Sequence, residues 1–173
     1  MKKGKRKITK DIVPEGFTLS LAIVDFIPVF FFILAVLIFS YKIYFDYLIV
    51  LGVLICFVSG FIKVLWKIIV VLQKRNVWWM FVQMRIFMTV GFSIFTLGFI
   101  LGWKNFSDYF YNASFYFRIF LTLWIIGMSL MFLFAIILDS SDPLANWIEQ
   151  ITNSISKFCY VLEYTLCENY IIL

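Results

Sequence analysis

A chain of 173 residues that is 64% hydrophobic, 21% aromatic and 14% charged, with a mean hydropathy of +0.99, does not read as a water-soluble domain. Such domains carry about 25% charged residues and about half apolar ones, and this much apolar surface would aggregate in water. The net charge of +5 does not indicate nucleic acid, because six of the fifteen basic residues (Lys2, Lys3, Lys5, Arg6, Lys7 and Lys10) cluster in one tail, where they act as an orientation signal and a binder of anionic headgroups.

The chain contains no histidine, which excludes from it His-ligated zinc or haem, Ser-His-Asp triads and Cys-His dyads. Its three cysteines, Cys56, Cys159 and Cys167, form no CxxC pair and no even disulfide set. No metal and no cofactor is expected.

Residues 1–16 form a basic, cytoplasmic tail ending in Pro14 and Gly16. The apolar run that follows is too long for a signal peptide core and is expected to remain as the first span. Four spans are predicted within residues 17–140, at about 17–40, 48–71, 78–103 and 115–138. Each reaches the ~20 residues needed to cross a ~30 Å hydrocarbon core. The first holds Asp25 and Pro28, so a carboxylate sits one turn from a helix-bending proline. The second is interrupted by Lys63, with Trp66 and Lys67 one turn later.

The third span opens on Trp78 and Trp79, carries Gln83 and Arg85, and contains Gly98 and Gly102 in a GxxxG spacing that allows close helix approach. Residues 104–114 read as a polar loop, and Gly127 and Ser129 give the fourth span a small-residue surface. In residues 141–173, Asp142 and Pro143 mark a helix start. Leu144, Trp147, Ile148, Ile151, Ile155, Phe158 and Leu162 then recur at spacings of three and four, with Asn146, Glu149, Gln150, Asn153, Ser156 and Lys157 between them. That is an amphipathic helix, suited to the membrane surface or to a partner helix. The expected fold is an all-α membrane protein: a four-transmembrane-helix bundle with a C-terminal cytoplasmic amphipathic helix.

The positive-inside rule assigns the tail and the turn with Lys67, Lys74 and Arg75 to the cytoplasm. Both termini are then cytoplasmic, in an integral protein of the plasma membrane. At 1.5 Å per residue, Asp25, Lys63 and Arg85 each lie roughly 10–12 Å in from that face, with Gln83 close by. An ionisable residue at such depth costs about 2.5–3.5 kcal/mol on insertion scales, so it faces the bundle interior and pairs. One reading is a binding site formed by Asp25, Lys63, Gln83 and Arg85 for an anionic solute or lipid headgroup, with Arg85 as a fork and Lys63 as a point charge. The other is structural: the two basic stems snorkel to the interface marked by Trp66, Trp78 and Trp79, and Asp25 neutralises one of them.

The function expected is that of a non-catalytic accessory or small transport subunit. Its partners would be membrane lipids and either further copies of itself or a larger membrane complex. The alternative is an enzyme acting on a lipid or prenyl substrate at the cytoplasmic face, with Asp139, Asp142 and Glu149 as its carboxylates.

Overall fold

The computed structural model describes residue 13 and residues 16–42, 45–138 and 142–165. Most of the basic tail, Asp139 and Cys167 lie outside these residues. The described residues form six α-helices: α1 Leu19–Lys42, α2 Tyr47–Gln73, α3 Trp78–Leu101, α4 Trp103–Asn112, α5 Phe115–Ile137 and α6 Pro143–Thr165. Short polar side chains start several of them. Thr18 Oγ1 accepts from Leu21 N–H, Asp46 from Leu48 and Ile49 N–H, Ser114 from Phe117 N–H and Asp142 from Leu144 N–H. Each satisfies a donor that the first turn leaves unpaired. Lys74 ends α2 in the left-handed region, at φ 52°, and the Trp66 indole N–H donates to Asn76 Oδ1 across the turn at 3.0 Å.

Among the described residues three helices are long and apolar enough to cross a membrane: Leu19–Tyr41, Tyr47–Gln73 and Trp78–Leu101. This corrects the expectation of four spans. α5 (Phe115–Ile137) is not among the three, and one of its sides packs on α6. The described residues are those of an all-α, multi-pass membrane protein with three candidate spans. The polar loop expected at 104–114 is mostly helix. Gly102 closes α3 by donating its N–H to Gly98 O at 2.9 Å, and α4 begins at the next residue, anchored by the buried Phe106 ring stacked on Phe99.

The helices pack as a series. α3 lies on α2, α2 on α1, α1 on α6 and α6 on α5, with the short α4 against α3, and among the described residues α3 and α5 do not pack on one another. The α2–α3 contact is a backbone contact. A Cβ on Gly52 would lie 2.6 Å from Gly91 O, and one on Gly98 would meet Ile49 N at 2.9 Å. Gly98 of the GxxxG spacing therefore serves packing within the chain, while Gly102 caps a helix.

α6 departs furthest from expectation. It runs beside α1 in the same direction, from Pro143 against Gly16, through Phe158 against Phe31 (ring centroids 5.5 Å apart), to Val161 in a cluster with Phe39. α5 covers its other side, with Trp124 stacked on Tyr160 at 4.6 Å and Ser156 Oγ donating to Trp124 O. Its polar residues Asn146, Gln150, Ser156 and Lys157 are buried, while Leu144, Ile148, Ile151 and Ile155 are exposed. The helix is amphipathic, but its polar side faces the bundle and its apolar side faces outward. Of the two settings expected for this helix, the membrane surface or a partner helix, the structure packs it against α1 and α5. Apolar side chains gain little by turning inward when the surroundings are as apolar as they are, whereas polar ones need protein partners.

Candidate functional site

Asp25 is the centre of the buried polar chemistry. It lies on α1 three residues before Pro28, and its side chain is 2% exposed. Lys63 and Lys67 are four apart on α2, so both point from one side of that helix. Lys67 Nζ stands 2.8 Å from Asp25 Oδ2, and Lys63 Nζ stands 3.8 Å from Oδ1. Beyond these ion pairs neither carboxylate oxygen takes a hydrogen bond.

Lys67 is as buried as Asp25. It donates to Asn146 Oδ1 of α6 at 3.4 Å and lies 5.4 Å from the centroid of the Phe17 ring. Asn146 is held for this by its own amide, which donates to Asp142 O at 3.0 Å. Glu149, one turn further along α6, lies within the field of both lysines. Burial pushes its carboxyl up, and Lys63 and Lys67 oppose that shift. The cluster thus joins α1, α2 and α6, and sets two ammonium groups against two carboxylates.

Of the residues expected at one site, the structure brings together Asp25 and Lys63 only. Gln83 is buried elsewhere, between α2 and α3. Its amide donates to Ser59 O and Met80 O, and Ser59 Oγ donates to its Oε1. Arg85 is exposed on α3, its guanidinium 5.4 Å from the Phe81 ring centroid. Two residues along a helix turn the side chain by about 200°, so Arg85 cannot share the inward face of Gln83.

Lys67, not Arg85, is the second cation beside Asp25. Read alone it is one more cation near the cytoplasmic end, but its spacing of four from Lys63 is the signal that places both on Asp25. Trp66, expected at the headgroup level, is buried between Phe17 and Phe81. Trp78 and Trp79 are exposed. Asp142 is used as the α6 cap, and among the described residues no group of three or more His, Cys, Asp or Glu could hold a metal ion.

The two lysines are not equivalent. Lys67 is buried between Asp25, Asn146 and Phe17, its side chain 2% exposed. The Lys63 side chain is 24% exposed and only loosely held. An incoming anion can therefore meet Lys63 without breaking the Asp25–Lys67 pair. No family model matches the chain, and comparisons with curated proteins and with solved structures find no significant match.

Proposed function

We propose that this chain is a non-catalytic membrane protein, an accessory or small transport subunit, whose polar site is the cluster of Asp25, Lys63 and Lys67. Its ligand is an anionic solute or the headgroup of an anionic lipid, received by Lys63 from the cytoplasmic face. The difference between the two ion pairs carries this reading: 2.8 Å and buried for Lys67, 3.8 Å and partly exposed for Lys63. A long, part-exposed pair is worth at most about 1 kcal/mol, so turning Lys63 toward a phosphate costs little. The adjoining turn holds Lys74 and Arg75, which supports the cytoplasmic assignment of that end.

Lipid retention measures it. After exchange into mixed bilayers and extraction, native mass spectrometry is expected to show phosphatidylglycerol retained over phosphatidylcholine. Lys63→Met should reduce that preference about fivefold, the equivalent of ~1 kcal/mol, and Lys63→Arg should keep it. Displacement by inorganic phosphate would identify a free anion as the ligand. Equal retention of both lipids by the wild type and by Lys63→Met, with no effect of phosphate, would remove the proposal.

A further inference from the structure

A second buried cation lies away from the Asp25 cluster. Lys157 is on the inward face of α6 and is 7% exposed. Among the described residues no carboxylate pairs with it. Its ammonium lies 3.2 Å from Met128 Sδ, 4.4 Å from the Phe32 ring centroid and 5.6 Å from a Trp124 ring centroid. Ring faces stabilise a desolvated ammonium, and a thioether is a weak acceptor. Neither replaces a counter-ion, and a buried charge without one is costly.

Lys157 lines a cavity of ≈ 430 Å³ bounded by α1, α2, α3, α5 and α6. This size is typical of small-molecule sites, about 300–1,000 Å³. Its wall is otherwise largely aromatic and thioether, with Phe32, Phe57, Phe95, Met88, Met128 and Met131 among its residues. Trp124 is also on the wall, and its indole Nε1 is buried with no hydrogen-bond acceptor. An ammonium and an indole N–H thus stand at one cavity as donors without an acceptor of matching strength.

The cavity reaches both α3 and α5, which among the described residues do not pack on each other. On the α3 side its edge is formed by Met88, Thr89, Phe92 and Ser93, all exposed. Thr89 and Ser93 return their hydroxyls to the carbonyls of Arg85 and Thr89, so they offer an entering chain no unmet polar group. The opening is lateral, on the side where lipid would lie.

We propose that this cavity binds a single-chain amphiphilic anion: an acyl or isoprenoid chain ending in a carboxylate or phosphate. The chain enters between α3 and α5, lies along the aromatic wall and places its head on Lys157. Charge complementarity selects this occupant over a neutral lipid. Volume selects one chain over a two-chain lipid held whole. The site uses a different stretch of α6 from the Asp25 cluster, so either can fail without the other.

Bromine quenching of tryptophan fluorescence tests it on the purified full chain in nanodiscs. The probes are 9,10-dibromostearate and its methyl ester. The acid should quench saturably and bind at least about tenfold more tightly than the ester, the effect of one charge-assisted contact. Lys157→Met should bring the acid down to the ester and leave the ester unchanged, and Lys157→Arg should retain the preference. Dodecyl phosphate should displace the acid, and inorganic phosphate at the same concentration should not. Ser93→Phe, a change on the exposed edge that leaves the packed core alone, should weaken both probes, and it keeps the test decisive if a Lys157 variant does not fold. Equal binding of acid and ester by the wild type, an acid preference that survives Lys157→Met, displacement by inorganic phosphate, or unchanged binding in Ser93→Phe would each overturn the proposal.

Discussion

Asp25→Asn should destabilise the protein by about 3–5 kcal/mol, the usual cost of removing one partner from a buried ion pair. The replacement is nearly isosteric, so packing is kept and the loss is electrostatic. It leaves Lys67, with a side chain 2% exposed, facing an amide. Asn146, which already accepts from Lys67 at 3.4 Å, cannot compensate, because its oxygen is neutral. Lys63 has a partly exposed route outward and will turn away. A thermal or denaturant melt in detergent measures the effect.

The companion change sharpens it. Lys67→Met in the Asp25→Asn background removes the stranded charge and should restore most of the loss, since apolar replacement of a whole buried pair is often close to neutral. A loss below about 1 kcal/mol in Asp25→Asn, the level of a surface pair, would mean that the pair is hydrated and that α1, α2 and α6 are not joined by it.

Gly52→Val should be the most damaging single change in the α2–α3 interface. A Cβ at this position would stand 2.5 Å from Phe95 N, 2.6 Å from Gly91 O and 2.8 Å from Phe95 Cα, all backbone atoms. No rotamer change relieves such a clash, so the helices must separate. Separation also empties the neighbouring contacts of Gly91 with Cys56 and of Gly98 with Ile49. Overpacking costs typically 1–3 kcal/mol, and the upper end, about 3 kcal/mol, is expected here because the obstacle is rigid.

Better helix propensity returns less than about 1 kcal/mol. Gly60→Ala is the control: its new Cβ would meet only the methyls of Val29, nearest at 2.9 Å, and a loss under about 1.5 kcal/mol is expected. Equal stability of Gly52→Val and the wild type would show that α2 and α3 do not approach as closely as their glycines imply.

Depth along a helix was readable from the residues, and direction around it was read less well. Three apolar runs and the common layer of Asp25 and Lys63 follow from counting 1.5 Å per residue. Arg85 lies in the same layer by that count but points elsewhere, because depth carries no azimuth. The phase between Lys63 and Lys67 was available in their spacing, yet a cation beside Lys74 and Arg75 has a ready alternative use in topology. Gly52 and Gly91 sit on different helices, so no motif within one helix reveals that they meet.

The inversion of α6 had a different cause. An amphipathic pattern shows that a helix has two faces, and the surroundings decide which one turns inward. In water the apolar face would turn inward. Among helices whose outer surfaces are already apolar, the side with Asn146, Gln150, Ser156 and Lys157 goes in, and with it go the Asn146 contact to Lys67 and the cation in the cavity. The fourth apolar run, expected at about 115–138, forms α5, a helix with one side packed on α6 and not counted among the three spans.

Both proposed sites depend on α6 lying beside α1 within the bundle. Cysteine pairing across that contact tests it most directly. In a chain with Cys56, Cys159 and Cys167 replaced by Ser, cysteines introduced at Phe31 and Phe158, whose rings are 5.5 Å apart, should be joined in native membranes by a short bis-methanethiosulfonate reagent. A control pair at Phe31 and the exposed Leu144, about 21 Å from Phe158 along α6, should not be joined. Failure of the first pair to cross-link, or cross-linking of both pairs alike, would contradict a docked α6.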